Sequence, residues 1–490
     1  MRIVIDRTKS LPLFQQIGDQ IRNLILSGML EPGTRLPAIR RMAQDIGVNR
    51  ITIETAYDDL KAEGLVDSKT GSGTYVLSPY PVEIIPKEPD IDRLNCGQGV
   101  IQPRKLINHS SDTPRQDVIM LGAGAGDIEL FPVEEFRKVN NRVLKRDGIL
   151  AMDYGPVSGY VPLKEMVFRI LASQGQGCSP DQVLITAGSQ QAILLTVLYL
   201  LKPGDTILVE TPTYAGALDL FRGMGLNIIG IPIDHDGMQV ELIENAIKKF
   251  SPKLIYTVPT FNNPTGTCMS GARRRKLAGL AEKYKVHVLE DDFVGDLRYE
   301  GRSQPPIKAF DVNSKWVIYV STFSKMLMPG LRVGFLVIDK ALLNPLINIK
   351  RVNDLATSNL NQRALAEYIN IGRYRKFLRR SVSLYQHRKN VMLQAILTHL
   401  PSEIEVFHFS QGGLFLWLKL PVGLSAQKLF EKGLEYGVSI EVGNKYFPDT
   451  ILSNPFVENQ YFRINFAANS EYQIIRGIKR LKLALVELMG

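Results

Sequence analysis

The chain is poor in cysteine: it has three in 490 residues, Cys96, Cys178 and Cys268, and no CxxC pair among them. An odd, scattered set argues against a disulfide framework or a zinc site and for a reducing cytoplasm. No apolar run reaches the ~18 residues that would suggest a membrane span. The start, MRIVIDRTKSLPLFQQ, lacks the apolar stretch of a signal peptide. These absences lead us to expect a cytoplasmic protein with no membrane partner. A local excess of positive charge is missing too. Net charge is +10, yet residues 1–80 hold ten Lys/Arg against nine Asp/Glu, so any claim of nucleic-acid binding has to rest on pattern. What remains is ordinary globular composition, 45% hydrophobic and 22% charged. Single cores stop growing at about 250–300 residues, so two or three domains are expected.

The first segment reads as helices. Phe14, Ile17, Ile21, Leu24 and Ile25 recur at helical spacing, and the Pro-Gly of EPGTRLP interrupts them. Ile39, Met42, Ala43 and Ile46 mark a second helix closed by Gly47. Asn49 can cap a third, in which Ile53, Ala56, Tyr57 and Leu60 face one way. Helix, short turn, helix is the helix-turn-helix arrangement, here over about 39–58. GLVDSKTGSGTYV then supplies two β-prone runs around a Gly-rich tip, the pattern of a hairpin wing. In such units the start of the second motif helix reads base edges in the major groove. Asn49, Arg50, Thr52 and Thr55 lie there: Arg50 suits a guanine edge or a phosphate, and Thr52 a phosphate. Arg40 and Arg41 open the preceding helix, where backbone phosphates are in reach, and Lys69 and Ser72 fall on the wing. The expected partner is an operator in double-stranded DNA.

From Leu77 to about Val118 the periodicity disappears. SPYPVEIIPKEPDIDRL carries four prolines, which suits a semi-rigid extended spacer. We expect domain limits of 10–78, a linker over 79–118, and a large domain over 119–488. In the large domain DQVLIT, DTILVE, LIYTVP, VHVLED and WVIYVST alternate with amphipathic stretches, the signature of a mostly parallel sheet covered by helices. Ligands bind such sheets at the carboxyl ends of the strands.

Chemically distinctive residues fall at those ends. Gly188, Ser189 and Gln190 open a helix and could hold an anion. Tyr214 follows ETPT, Asn263 precedes Pro-Thr-Gly, and Asp291 and Asp292 end an apolar strand. A carboxylate emerging from such a strand is costly without a cationic partner. Lys325 sits in SKMLMPGLRVG, seven positions before Arg332. A lysine that can form a Schiff base, an anion cradle, a carboxylate for a pyridinium nitrogen, an aromatic face and a donor to a phenolic oxygen together suit pyridoxal 5'-phosphate. Lys325, Ser189 with Arg332, Asp291, Tyr214 and Asn263 fill those needs in turn. Asp292 reads as structural.

Two resemblances sharpen this. Residues 10–78 resemble the GntR-type winged helix-turn-helix, with Asn49 standing where that family often has Ser. Residues 119–488 resemble the fold-type I, class I aminotransferases through YGPVSGYVPLK, TAGSQQA, ETPTY, NNPTG, EDD and SKMLMPGLRVG. The fold implied is a winged helix-turn-helix of α+β type, then an α/β large domain with a smaller α+β C-terminal subdomain. The likeness implies Lys325 as the cofactor-linked lysine, Asp291 as the pyridinium partner and Asn263 on the ring oxygen. It puts Ser189, Gln190, Thr322 and Arg332 at the phosphate. It also implies that Tyr154 reaches the neighbouring subunit of a homodimer, and that Arg463, in YFRINFA, grips an α-carboxylate. Period 2 puts Arg463 and Asn465 on one face and Phe462, Ile464 and Phe466 on the other. Two departures stand out: Phe293 replaces a tyrosine usual among relatives, and EVGNKYF replaces a Pro-Gly loop.

The two halves in one chain resemble the MocR/GabR family of bacterial transcriptional regulators. The resemblance implies a regulator that senses a small amine or amino acid through the cofactor. Two alternatives stay open: a working aminotransferase, and a sensor of pyridoxal phosphate itself.

Overall fold

A computed structural model describes residues 3, 5–6, 12–26, 30–31, 33–69, 73–77, 117–452 and 458–489. Ser72, the ends of the expected first domain at 10 and 78, and positions 79–116 of the expected linker lie outside the described residues.

The N-terminal unit is three helices and a wing. α1 spans Leu13–Leu26, α2 Ile39–Ile46 and α3 Arg50–Ala62. β1 (Val66–Lys69) and β2 (Gly73–Val76) form an antiparallel hairpin, and Arg35 bridges to Tyr75 on its other side. The turn between α2 and α3 needs Gly47, whose φ of 71° is left-handed and closes α2 by donating to Ala43 and Gln44. Asn49 caps α3, its Oδ1 accepting from the Ile51 N–H at 3.1 Å. The apolar faces expected of all three helices meet in one small core: Ile17, Ile21, Ile25, Met42, Ile53, Tyr57 and Leu60, closed by Val66 and Val76 of the wing.

The large unit is built on a nine-stranded sheet. Its order is Thr450–Ile451, Asn227–Asp234, Thr206–Thr211, Leu254–Thr257, His287–Asp292, Val317–Thr322, Gly334–Val337 and Val183–Thr186, with Gly237–Met238 off that path on Asn227–Asp234. All five strands expected from sequence are in it. The pairings are parallel except at Gly334–Val337, antiparallel to both neighbours, and at Gly237–Met238, antiparallel to Asn227–Asp234. A separate four-stranded antiparallel sheet contains Glu405–Val406, Phe415–Lys419, Tyr461–Asn465 and Glu441–Val442. Helices Ala426–Glu435 and Glu471–Met489 pack together beside it, giving the smaller α+β subdomain. Both faces of Tyr461–Asn465 are buried, so its alternation sorts two buried environments.

Candidate cofactor cleft and DNA-reading face

The carboxyl ends of the central strands open into a cleft of about 300 Å³. Gly124, Ser189, Tyr214, Asn263, Asp291, Phe293, Lys325 and Arg463 line it, joined by Asp219, Glu441, Lys445 and Tyr446. Six expected contact residues from six different segments thus converge.

Lys325 follows Val317–Thr322 by three residues, and its Nζ donates to the Gly124 carbonyl at 2.9 Å. Burial first, then the nearby Arg463 and Arg332, push its amine below the ordinary lysine range. A lowered pKa raises the fraction of neutral, nucleophilic amine.

Asp291, the penultimate residue of its strand, is buried. One carboxylate oxygen accepts from the Tyr256 hydroxyl at 2.8 Å, while the other is buried with no hydrogen-bond partner among the described residues. Burial pushes its pKa up to about 7. Asp292, one residue on, turns to the opposite face and accepts from the Tyr319 hydroxyl at 2.7 Å, its other oxygen also without a partner among the described residues. A buried carboxylate oxygen without a donor is what a protonated ring nitrogen would satisfy, so the residues present fit pyridoxal phosphate.

The anion cradle expected from sequence falls at the start of helix Ser189–Leu200. Gly188, at φ 115°, precedes it, and a Cβ there would stand 3.0 Å from the Arg332 guanidinium. Arg332 is itself left-handed, at φ 50°, and donates to the Ala187 carbonyl at 2.8 Å. Gln190 donates to the Gly216 carbonyl at 2.8 Å, joining this helix to the one that begins at Ala215. Gln190, Arg332 and Thr322 are not among the residues that line the cleft. Thr322 is buried, and its hydroxyl accepts from the Ser324 N–H at 3.1 Å. Tyr154 is 76% exposed and does not line the cleft of its own chain.

Arg463 is held on several sides. It donates to Asn263 Oδ1 at 2.8 Å and to the Gly122 carbonyl at 3.0 Å, and stacks 4.0 Å from the Phe415 ring centre. Asn465, on the same face as expected, donates to the Ala123 and Ala125 carbonyls, both at 2.7 Å. Glu441, cross-strand from Arg463, lies 3.7 Å from its guanidinium and also pairs with Lys445. Sequence reasoning misses the 122–125 segment, Asp219, Glu441, Lys445 and Tyr446. EVGNKYF stands out there only as a departure, and its charges are the available signal.

On the N-terminal unit, Arg40, Arg41, Asn49, Arg50 and the half-buried Thr52 and Thr55 lie along the first turns of α2 and α3. Arg41 is 4.0 Å from Asp45. Lys69 ends β1.

Comparison with known proteins follows this division. The family model for aminotransferase class I and II matches residues 116–481, and that for bacterial regulatory proteins of the gntR family matches 13–76. The HTH-type transcriptional regulator YdfD of Bacillus subtilis is 30% identical over 98% of both chains. The chain belongs to the MocR/GabR-type family of transcriptional regulators. Within that family, the probable rhizopine catabolism regulatory protein MocR of Rhizobium meliloti is 29% identical, over 91% of this chain and 89% of its own. The structure of Pyrococcus horikoshii kynurenine aminotransferase, complexed with PMP, superposes on 77% of this MocR-type chain and 92% of its own, with a TM-score of 0.72 and 34% identity. The aminotransferase fold and this complexed neighbour imply use of pyridoxal phosphate.

Proposed function

We propose that the chain is a pyridoxal-phosphate-dependent DNA-binding regulator that senses a small amine or amino acid, as a homodimer in the cytoplasm. The observation that carries the reading is the meeting, in one cleft, of the Lys325 amine with Asp291, whose second oxygen has no partner among the described residues. That cleft shares a chain with a winged helix-turn-helix, over domain limits we assign as 10–78, 79–118 and 119–488. Lys325 would bind the cofactor covalently, Asp291 would face its ring nitrogen and Tyr214 would stack on it. Ser189, Gln190, Thr322 and Arg332 would hold its phosphate, with Tyr154 from a second copy. The cofactor supplies an electrophilic carbon that exchanges one amine for another. The ring oxygen would rely more on Asn263, because Phe293 has no hydroxyl.

This chain's own residues would do the sensing. Arg463 orients a carboxylate, Lys325 gives up its place to the arriving amine, and Glu441 competes with that carboxylate for the guanidinium. An effector shifts the protein only by its different affinity for two states, so filling the cleft has to alter how the DNA-reading units are held. Homodimerisation is supported by the apolar surface beside Tyr154, where Ile149, Leu150 and Met152 are 82%, 63% and 68% exposed. Two copies would read two half-sites through Arg50, Asn49, Thr52 and Thr55, with Arg40, Arg41, Lys69 and Ser72 on the backbone. Gel-shift titration with DNA from upstream of its own and neighbouring genes tests this. Specific retention near physiological salt is expected, and no retention there overturns the regulator reading.

A further inference from the structure

The carboxyl end of the recognition helix α3 is packed against the large unit. A Cβ placed on Gly271 would stand 2.1 Å from the Ala62 carbonyl, and one on Gly64 would stand 2.7 Å from the Ala272 nitrogen, so two glycines permit the approach. Gly271 is the first residue of helix Gly271–Tyr284, capped by Ser270. The carbonyl end of one helix therefore meets the amide end of another, a favourable dipole arrangement. Arg275 donates to the Glu63 carbonyl, one of the acceptors that α3 leaves unpaired. Arg302 donates to Asp59 at 2.6 Å and to the Thr55 carbonyl at 3.2 Å, and lies 3.6 Å from Asp58.

Asp58, Asp59 and Glu63 are otherwise poorly placed. Carboxylates at a helix carboxyl end oppose its dipole, and beside DNA they repel phosphate. Arg302 and Arg22 answer them: Arg22 of α1 holds Glu63, and Arg302 of the large unit holds the two aspartates.

The landing surface is joined to the cleft along the chain and through Arg274. The turn from Asn263 runs into Ser270. Arg274, on the first turn of the same helix and 1% exposed, donates to the Pro259 carbonyl at 2.6 Å and to the Met269 carbonyl at 2.9 Å. Its guanidinium also lies 3.8 Å from Glu290, the neighbour of Asp291. Movement at Asn263 or Asp291 has little slack before it reaches Gly271.

We propose that the first turn of helix Gly271–Tyr284, with Arg275 and Arg302, is a seat for the recognition helix, and that loading the cleft with pyridoxal phosphate tightens it. The proposal rests on the cofactor reading above. Hydrogen exchange at residues 58–64 of the full chain, with and without pyridoxal phosphate, tests it, and the visible absorbance band reports occupancy independently. In the wild type, loading slows exchange there. In the Arg275→Ala/Arg302→Ala variant the band forms as before, while exchange is fast and equal in both states. Arg302→Asp alone behaves like that variant, and Asp59→Arg added to it restores the slowing. A band that forms with no change in wild-type exchange overturns the proposal, as does an Arg302→Asp protein that keeps the full difference. No band at all overturns the cofactor reading instead.

Discussion

Arg463 donates to Asn263 Oδ1 at 2.8 Å, joining the C-terminal sheet to the turn after strand Leu254–Thr257 of the large sheet. The residue expected to grip an effector thus already holds the residue expected to grip the cofactor. An arriving carboxylate competes for the same guanidinium, so effector binding disturbs the Asn263 turn directly.

Arg463→Ala lowers affinity for amines that carry an α-carboxylate by roughly 1.5–3 kcal/mol, the worth of a hydrogen bond to a charged group. Titrating loaded protein with phenylalanine and with phenethylamine, followed by visible absorbance, checks this. The variant weakens for the first and stays unchanged for the second. Glu441→Gln shifts phenylalanine the opposite way, because it removes the carboxylate 3.7 Å from Arg463.

Asp291→Asn changes the pH dependence of the apo protein. The folded carboxyl titrates at about 7 against an ordinary 3.8, so its contribution to stability is fully present below about pH 4 and is lost as pH rises through 7. Between those limits the loss runs at about 1.4 kcal/mol per pH unit. In urea melts apo Asp291→Asn is more stable than apo wild type at pH 8, and the two converge toward pH 4. The same variant loses affinity for pyridoxal phosphate.

Leu60 is fully buried in the small N-terminal core. Leu60→Ala costs about 2–5 kcal/mol there. Since the cleft draws on other elements, DNA retention falls while the cofactor band survives. Loss of both together contradicts separate cores.

Arg50→Ala weakens binding to a specific site by about 1–3 kcal/mol and relaxes its sequence preference. Arg41→Ala, read as a phosphate contact, weakens all sequences alike and reduces the salt slope of binding by about one. Anisotropy titrations over a salt series separate the two.

Much of this is legible in sequence because local chemistry decides it. Asn49, Gly47 and the apolar faces of α2 and α3 mark their own helix ends and core. The five strand runs are apolar enough to be buried wherever they pair. What escapes depends on tertiary placement. Glu441 sits in a short strand with no period of its own, and only its register against Arg463 brings its charge to the cleft. The 122–125 segment is entirely glycine and alanine, and contributes carbonyls that no side-chain pattern announces. The motif around Lys325 marks Thr322 and Arg332 as cleft residues, yet both spend hydrogen bonds on neighbouring backbone.

The most direct measurement is borohydride reduction of protein saturated with pyridoxal phosphate, followed by peptide mass mapping. A pyridoxyl group on the peptide carrying Lys325 is the predicted result; that peptide recovered unmodified, or another lysine labelled in its place, would contradict the assignment on which the sensing scheme depends.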